Sequence, residues 1–240
     1  MSAPPTGPGE VTLVGGGPGP AGLLTQAGRQ ALDRADVVVL DRLAPRDAVP
    51  PGTEIIDVGK ENGFHRVVQD EINEILIDQA RAGRRVVRLK GGDPYVLGRG
   101  GEEVAACRAA GIEPVVVPGV TSAVAVPAAA GIPLTHRGTA RAFTVLDGHG
   151  PVGDLPLGGD HTLVVLMGVA TLRPVVETLI DRGKDPLTPA AVIENGLLPG
   201  QRVTTSPMRC LPDVAERTGV RPPAVVVLGD VVALSPHWNG

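Results

Sequence analysis

The chain has 240 residues, enough for one large domain or two small ones with a substantial apolar core. Its formal net charge of −4 argues against a nucleic-acid surface driven by bulk electrostatics, and its two cysteines are too few for a disulfide framework or a metal site. Aromatic residues make up only 2% of the chain, so the core must consist of valine, leucine, isoleucine and alanine.

The N-terminal stretch 1–9 is rich in proline and glycine and lacks the apolar segment of a signal peptide. No later run of the sequence approaches the length of a membrane span. We therefore expect a flexible tail over residues 1–9 on a cytoplasmic protein that has no membrane partner.

The first half of the chain predicts alternating strands and helices. Strands are predicted at 11–14, 37–40, 54–58, 86–89 and 115–117, and helices at 23–34, 68–81 and 102–110. This alternation is typical of a mainly parallel sheet with helices on both faces, so residues 10–118 form a predicted N-terminal α/β domain.

Pro118-Gly119 marks the start of a second predicted domain, residues 119–240. Helices are predicted at 120–130 and 172–180, and strands at 143–146, 163–166, 190–193, 202–205 and 225–228. Because strands now outnumber helices, we expect a second α/β domain with a mixed sheet.

The loop after the first strand contains a G-x-G-x-x-G pattern at Gly17, Gly19 and Gly22, as in dinucleotide-binding folds. Pro18 and Pro20 lack the N–H groups that a pyrophosphate site uses. A glycine-rich ligand loop is therefore expected, and a nicotinamide-dependent enzyme is the weaker alternative.

Two charged residues follow predicted strands in the first half. Asp41 closes a wholly apolar strand, where its carboxylate could serve as a general base or could cap the next short helix, and the sequence leaves both open. Lys60 is one of only three lysines, with Lys90 and Lys184; it could be an acid, a carboxylate-binding cation or a solvated loop residue.

The most informative stretch is 87–103, in which a short strand breaks into a Gly-Gly-Asp-Pro turn, a second glycine-rich turn and a helix that opens on two glutamates. Paired glycines let the backbone turn sharply and let a ligand approach closely. Further polar or glycine motifs follow predicted strands at 118–122, 147–149, 166–168 and 193–196. Their convergence predicts an active site between the two domains.

In this order, the motifs resemble the tetrapyrrole methylases from about Gly9 to the C-terminus. The matching segments are 13–19, 41–43, 58–60, 69–73, 86–94, 98–103, 117–122, 131–137 and 193–196. The segments 88–103 and 134–137 are specific to the members that methylate uroporphyrinogen III. Pro20, Glu61 and Leu166 depart from the family's pattern.

The resemblance implies a homodimer that binds S-adenosylmethionine in the interdomain cleft and uses no metal. It also implies successive methyl transfers to C2 and C7 of uroporphyrinogen III, giving precorrin-2 through precorrin-1 on the route to sirohaem and cobalamin, with S-adenosylhomocysteine as the other product. The cofactor-binding residues that it implies are Pro18, Gly91, Gly92, Asp93, Val96, Thr121, Ser122, Met167, Gly196 and Ala224.

The resemblance further implies Asp41 as proton acceptor, Lys60 as proton donor and Arg99 as a third catalytic residue. The substrate-facing residues that it implies are Arg99, Glu102, Arg137 and His149. Planar guanidinium groups suit the acetate and propionate carboxylates of such a substrate. A methylase of a later precorrin, an RNA methylase and a non-catalytic cofactor-binding module remain alternatives.

Overall fold

The computed structural model describes residues 9–59 and 68–238. The chain divides between Thr121 and Ser122 into two compact units, each built on one five-stranded sheet with helices packed against it. The predicted class, two α/β domains with a parallel N-terminal and a mixed C-terminal sheet, is confirmed. No helix in the described ranges is long and apolar enough to cross a membrane.

The first unit contains a parallel sheet with the strand order β3-β2-β4-β1-β5. Its elements are β1 (Glu10–Gly15), α1 (Gln26–Asp33), β2 (Val37–Leu40), β3 (Glu54–Asp57), α2 (Gln69–Arg81), β4 (Arg85–Lys90), α3 (Gly100–Ala109) and β5 (Val115–Val117). In a parallel sheet all carboxyl ends lie at one edge, so the loops that follow these strands are neighbours.

Alternating side chains of the central strands feed two apolar clusters, one on each face of this sheet. Val37 and Val39 pack with α2 and α3 on one face, and Val38 and Leu40 pack with Leu32 of α1 on the other. Since both faces are covered, the strand reads as an uninterrupted apolar run.

The second unit contains a mixed sheet with the order β6-β7-β10-β8-β9, in which only the β6–β7 pair is parallel. Its elements are α4 (Ser122–Ala129), β6 (Ala142–Asp147), β7 (His161–Leu166), α5 (Leu172–Asp181), β8 (Pro189–Glu194), β9 (Arg202–Pro207), α6 (Leu211–Arg217) and β10 (Ala224–Leu228).

Two helical segments differ from the sequence prediction. The helix predicted from residue 23 begins at Gln26, because the hydroxyl of Thr25 accepts the Gly28 N–H at 3.1 Å and caps the helix there. Ala21–Leu23 forms a separate 3₁₀ turn. The sequence did not predict α6, whose seven residues include a proline and are too few for a clear helical period.

An ion pair fastens the amino end of β4 to the residue before β2. The Asp36 carboxylate accepts the Arg85 backbone N–H at 2.8 Å and its guanidinium at 2.6 and 3.1 Å. These hydrogen bonds lower the pKa of Asp36 to about 2. Since its folded pKa lies below the usual value of 3.8, Asp36 stabilises the fold above about pH 4 and loses this effect as the pH falls towards 2.

We therefore predict that Asp36→Asn lowers the free energy of unfolding at pH 7 by about 0.5–1 kcal/mol, a value kept small because solvent screens a side chain that is more than a third exposed. Urea denaturation at pH 7 and at successively lower pH would measure the difference, which should vanish near pH 2. Asp78→Asn, on the exposed side of α2, is the control. An Asp36→Asn deficit that stays constant with pH would contradict the assignment.

Candidate functional site

Glycine loops from two strands pair with each other at the carboxyl edge of the first sheet. After β1, Gly16 donates its N–H to the carbonyl of Lys90 at 2.7 Å. Gly17 and Gly92 then exchange two backbone hydrogen bonds, at 3.1 and 2.7 Å. The loops after β1 and β4 are thus held by main-chain contacts that leave side chains out of the interface.

The loop after β5 approaches the same backbone closely. A Cβ on Gly119 would lie 2.3 Å from the Gly92 carbonyl oxygen and 2.6 Å from the carbonyl carbon of Gly15, so only glycine fits. The carboxylate of Asp93 accepts the N–H groups of Gly119 at 2.9 Å and Tyr95 at 2.8 Å. The predicted cofactor segment 91–93 therefore has one fixed backbone conformation.

Beneath these loops lies a buried cluster of charges that the sequence analysis did not identify. The Glu103 carboxylate is fully buried, and its Oε1 accepts from Arg88 Nε and Lys90 Nζ, each at 2.9 Å, and from Gln69 Nε2 at 3.3 Å. Arg88 and Lys90 are each 3% exposed. Glu103 Oε2 has no hydrogen-bond partner among the residues that the structure describes.

The charges around Lys90 act on its pKa in opposite directions. Burial lowers the pKa of Lys90, the neighbouring Arg88 guanidinium lowers it further, and the Glu103 carboxylate opposes both effects. The signal in the sequence was present but weak: Arg88 and Lys90 lie two residues apart on one face of a strand, and Glu103 lies in the first turn of the next helix. Such spacing places charges on the same side without showing that they meet.

Asp41 lies at the end of β2 and contacts the cluster. Its Oδ1 accepts the Leu43 N–H at 3.2 Å, and its Oδ2 lies 3.4 Å from an Arg88 guanidinium nitrogen. The side chain is 33% exposed. The alternative that Asp41 caps the next short helix is wrong, because the 3₁₀ helix Arg46–Ala48 begins after Pro45.

Arg99 and Glu102 form an exposed ion pair at the start of α3. Two hydrogen bonds of 2.9 and 2.7 Å join the guanidinium to the carboxylate, and both side chains are more than half exposed. This contact raises the pKa of Arg99 and lowers that of Glu102. Unlike the buried charges, these two predicted substrate residues can exchange partners in water.

Several predicted residues of the second unit meet at one edge of its sheet. Met167 follows β7, Gly196 follows β8, and Ala224 begins the antiparallel β10 between them. The register pairs Ala224 with Glu194 and the next residue with Leu166. Met167 has a left-handed φ of 57° and is 45% exposed. His149, on the loop after β6, lies at this edge as well, since β6 runs parallel to β7.

Arg137 is not brought together with those residues. Its loop, 135–141, lines an open cavity of about 650 Å³ together with Asp160, just before β7. The Arg141 N–H donates to the Asp160 carbonyl at 3.0 Å, which places this loop at the amino ends of β6 and β7.

The remaining predicted residues occupy loops or fall outside the description. Pro18 is half-buried in the loop after β1, Val96 lies in the loop before α3, and Thr121 directly precedes Ser122, the first residue of α4. Lys60 lies outside the described residues. Within those ranges, no group of three or more histidine, cysteine, aspartate or glutamate side chains could hold a metal ion.

Comparison with known proteins adds to this geometry. The family model described as Tetrapyrrole (Corrin/Porphyrin) Methylases matches residues 10–212. The chain is 47% identical to the S-adenosyl-L-methionine-dependent uroporphyrinogen III methyltransferase of Methanosarcina barkeri, over 94% of this chain and 93% of that protein. The whole of this chain is also 46% identical to part of the siroheme synthase of Edwardsiella ictaluri, and the match covers 53% of that longer relative.

A solved structure agrees with these sequence relatives. The crystal structure of uroporphyrin-III C-methyltransferase from Thermus thermophilus complexed with S-adenyl homocysteine has a TM-score of 0.78 and 40% identity, over 93% of both chains. The fold, the glycine loops and the near-full-length matches lead to one conclusion: the chain belongs to the tetrapyrrole methylase family.

Proposed function

We propose that the protein transfers methyl groups from S-adenosylmethionine to C2 and C7 of uroporphyrinogen III, giving precorrin-2 through precorrin-1 on the route to sirohaem and cobalamin. The observation that carries the proposal is the similarity, along nearly the full chain, to a relative named for this cofactor and substrate. The segment 88–103, by which the chain resembles the family members that methylate uroporphyrinogen III, contains both the glycine loop after β4 and the buried charges of Arg88, Lys90 and Glu103.

The described residues fit the cofactor because the loop after β4 is preorganised. Gly91 and Gly92 present peptide groups without side chains, and Gly92 exchanges two backbone hydrogen bonds with Gly17. The Asp93 carboxylate holds the adjoining turns by accepting the Tyr95 and Gly119 N–H groups. We assign cofactor binding to this loop with Pro18, Val96, Thr121 and Ser122, and to Met167, Gly196 and Ala224 of the second unit. S-adenosylmethionine supplies an electrophilic methyl group on sulfur.

In the proposed reaction an electron-rich pyrrole carbon forms a bond to this methyl group as the carbon–sulfur bond breaks. The ring must then lose a proton, which we assign to Asp41 as acceptor because its carboxylate contacts the Leu43 N–H and Arg88 and is one-third exposed. Lys60 is the proposed donor, and Arg99 is the third residue that we assign to proton handling.

The substrate carries acetate and propionate groups around its rim, and the proposed contacts are Arg99, Glu102, Arg137 and His149. Because water screens an exposed ion pair such as Arg99–Glu102, a substrate carboxylate can replace Glu102 at little cost. An acidic protein can thus bind a polyanion through local arginine side chains.

A nicotinamide enzyme is disfavoured by the structure of the first loop. Gly17 donates its N–H to Gly92, Pro18 and Pro20 have none, and α1 begins only at Gln26. The backbone donors that a pyrophosphate needs at a helix N-terminus are therefore not provided there.

We further propose that the protein forms a homodimer and acts in the cytoplasm.

Anaerobic incubation with uroporphyrinogen III and methyl-labelled S-adenosylmethionine tests the function. We expect label in a dimethylated product, identified by mass. Cofactor binding without label transfer would refute this substrate and direct the same assay to later precorrins and then to RNA. NAD titration is expected to give no binding.

We predict that Asp41→Asn lowers kcat by about 100-fold, within the range for loss of a general base. Affinity for S-adenosylhomocysteine, measured by calorimetry, should stay within about twofold because Asp41 is not assigned to cofactor binding. Little loss of turnover would show that another group takes the proton.

We predict that Gly119→Ala weakens S-adenosylhomocysteine binding by about 10-fold or more, because the new Cβ forces the three glycine loops apart. Gly22→Ala is the matched control, since a Cβ there meets nothing within 4 Å. Equal affinities for the two variants would contradict the assignment of these loops to the cofactor.

A further inference from the structure

Asp41, the proposed proton acceptor, contacts Arg88, a buried cation that has no role in the proposed reaction so far. Arg88 lies within β4, 3% exposed, and its guanidinium makes contacts in several directions. Nε donates to Glu103 at 2.9 Å, and one terminal nitrogen contacts the carbonyls of Val39 and Leu89, each at 3.4 Å. The other terminal nitrogen faces Asp41 at 3.4 Å.

Asp41 supplies the second negative charge beside the cluster. Arg88 and Lys90 share the single Oε1 of Glu103, so two buried cations face one buried anion. A buried cation without a compensating charge is strongly unfavourable. The Asp41 carboxylate is the second anion within 4.0 Å of these cations among the described residues, and it makes the group neutral.

Both oxygens of Asp41 are thereby fixed from different sides. Oδ1 is held by the Leu43 N–H on its own turn, and Oδ2 by Arg88 from the neighbouring strand. A proton acceptor works only when its oxygen lies at the correct distance and angle from the proton, and small misplacements are costly.

We propose that Arg88, itself held by Glu103, is a positioning residue that orients the Asp41 carboxylate for proton transfer. The proposal rests on the proposed methyl transfer, in which Asp41 accepts the proton. Arg88 acts only through Asp41, and Lys90 and Gln69 act on Arg88 by fixing the shared carboxylate of Glu103.

The test variant is Arg88→Gln, which leaves the Lys90–Glu103 pair intact and balanced in charge. Its matched control is Arg85→Gln on the same strand, which breaks a shorter ion pair at the amino end, away from Asp41. Where Arg88→Gln fails to fold, Arg88→Lys replaces it, since one ammonium can pair with Glu103 but cannot reproduce the contacts of a planar fork.

We expect Arg88→Gln to lower kcat by about 10- to 100-fold, with KM and S-adenosylhomocysteine affinity within about twofold of wild type. Arg85→Gln should keep kcat within about twofold. When Arg88→Gln is added to Asp41→Asn, kcat should fall by less than a further factor of about two, because Arg88 acts through the carboxylate that Asp41→Asn has already removed. Losses that multiply in the double variant, or equal kcat values for the two arginine variants, would overturn the proposal.

A crystal structure of Arg88→Gln separates this inference from the proposed function. If wild-type protein does not methylate uroporphyrinogen III, the function fails, but the position of the carboxylate can still be read. We expect Asp41 to leave its single orientation in Arg88→Gln and to keep it in Arg85→Gln. An Asp41 carboxylate that is unmoved in Arg88→Gln would overturn the positioning role.

Discussion

The contact between Lys90 and Glu103 is the constraint on which the candidate site at the carboxyl edge of the first unit's sheet depends. Lys90 ends β4 and Glu103 lies in the first turn of α3, so their 2.9 Å ion pair closes the loop between them at its base. That segment carries the predicted cofactor residues Gly91, Gly92, Asp93 and Val96 and the Arg99–Glu102 pair. Because the ion pair is buried, water does not screen it as it screens surface pairs. The end of β4 and the start of α3 are therefore held next to each other.

The loop above this pair adopts conformations that its side chains do not favour. Leu97 and Arg99 have left-handed φ values of 54° and 58°, which cost non-glycine residues free energy. The Gly100 N–H compensates in part by donating to the Pro94 carbonyl at 3.0 Å, and a Cβ on Gly100 would lie 2.6 Å from that oxygen. A strained loop held at its base is thus kept in one shape by backbone contacts.

The sequence predicted the strands well because burial on both faces leaves an unmistakable pattern, as in Val37–Leu40. It placed the start of α1 too early, since a cap at Thr25 is a local hydrogen bond that apolar periodicity does not reveal. The sequence singled out Lys90 because the chain has only three lysines, but it predicted no role for Arg88 or Glu103. Their pairing depends on which helix packs against which strand, and the sequence pattern does not reveal that. The site residues came from a family resemblance, and their distribution over the fold could not be derived from the sequence: the structure places Arg137 at the opposite strand ends from Met167.

The two kinds of arginine in the first unit suggest a division of labour under the proposed function. Arg88 is itself buried and is paired with the buried Glu103 and with the one-third exposed Asp41, so its charge is neutralised within the fold and it serves to hold these neighbours in place. Arg99 is paired with an equally exposed Glu102, which solvent can replace. In that proposal, substrate charge is met by side chains that can exchange partners, while the proposed proton acceptor is oriented by Arg88, whose partners lie within the fold. A protein with a net charge of −4 can bind an octacarboxylate in this way because the few exposed cations at the site need not also stabilise the fold.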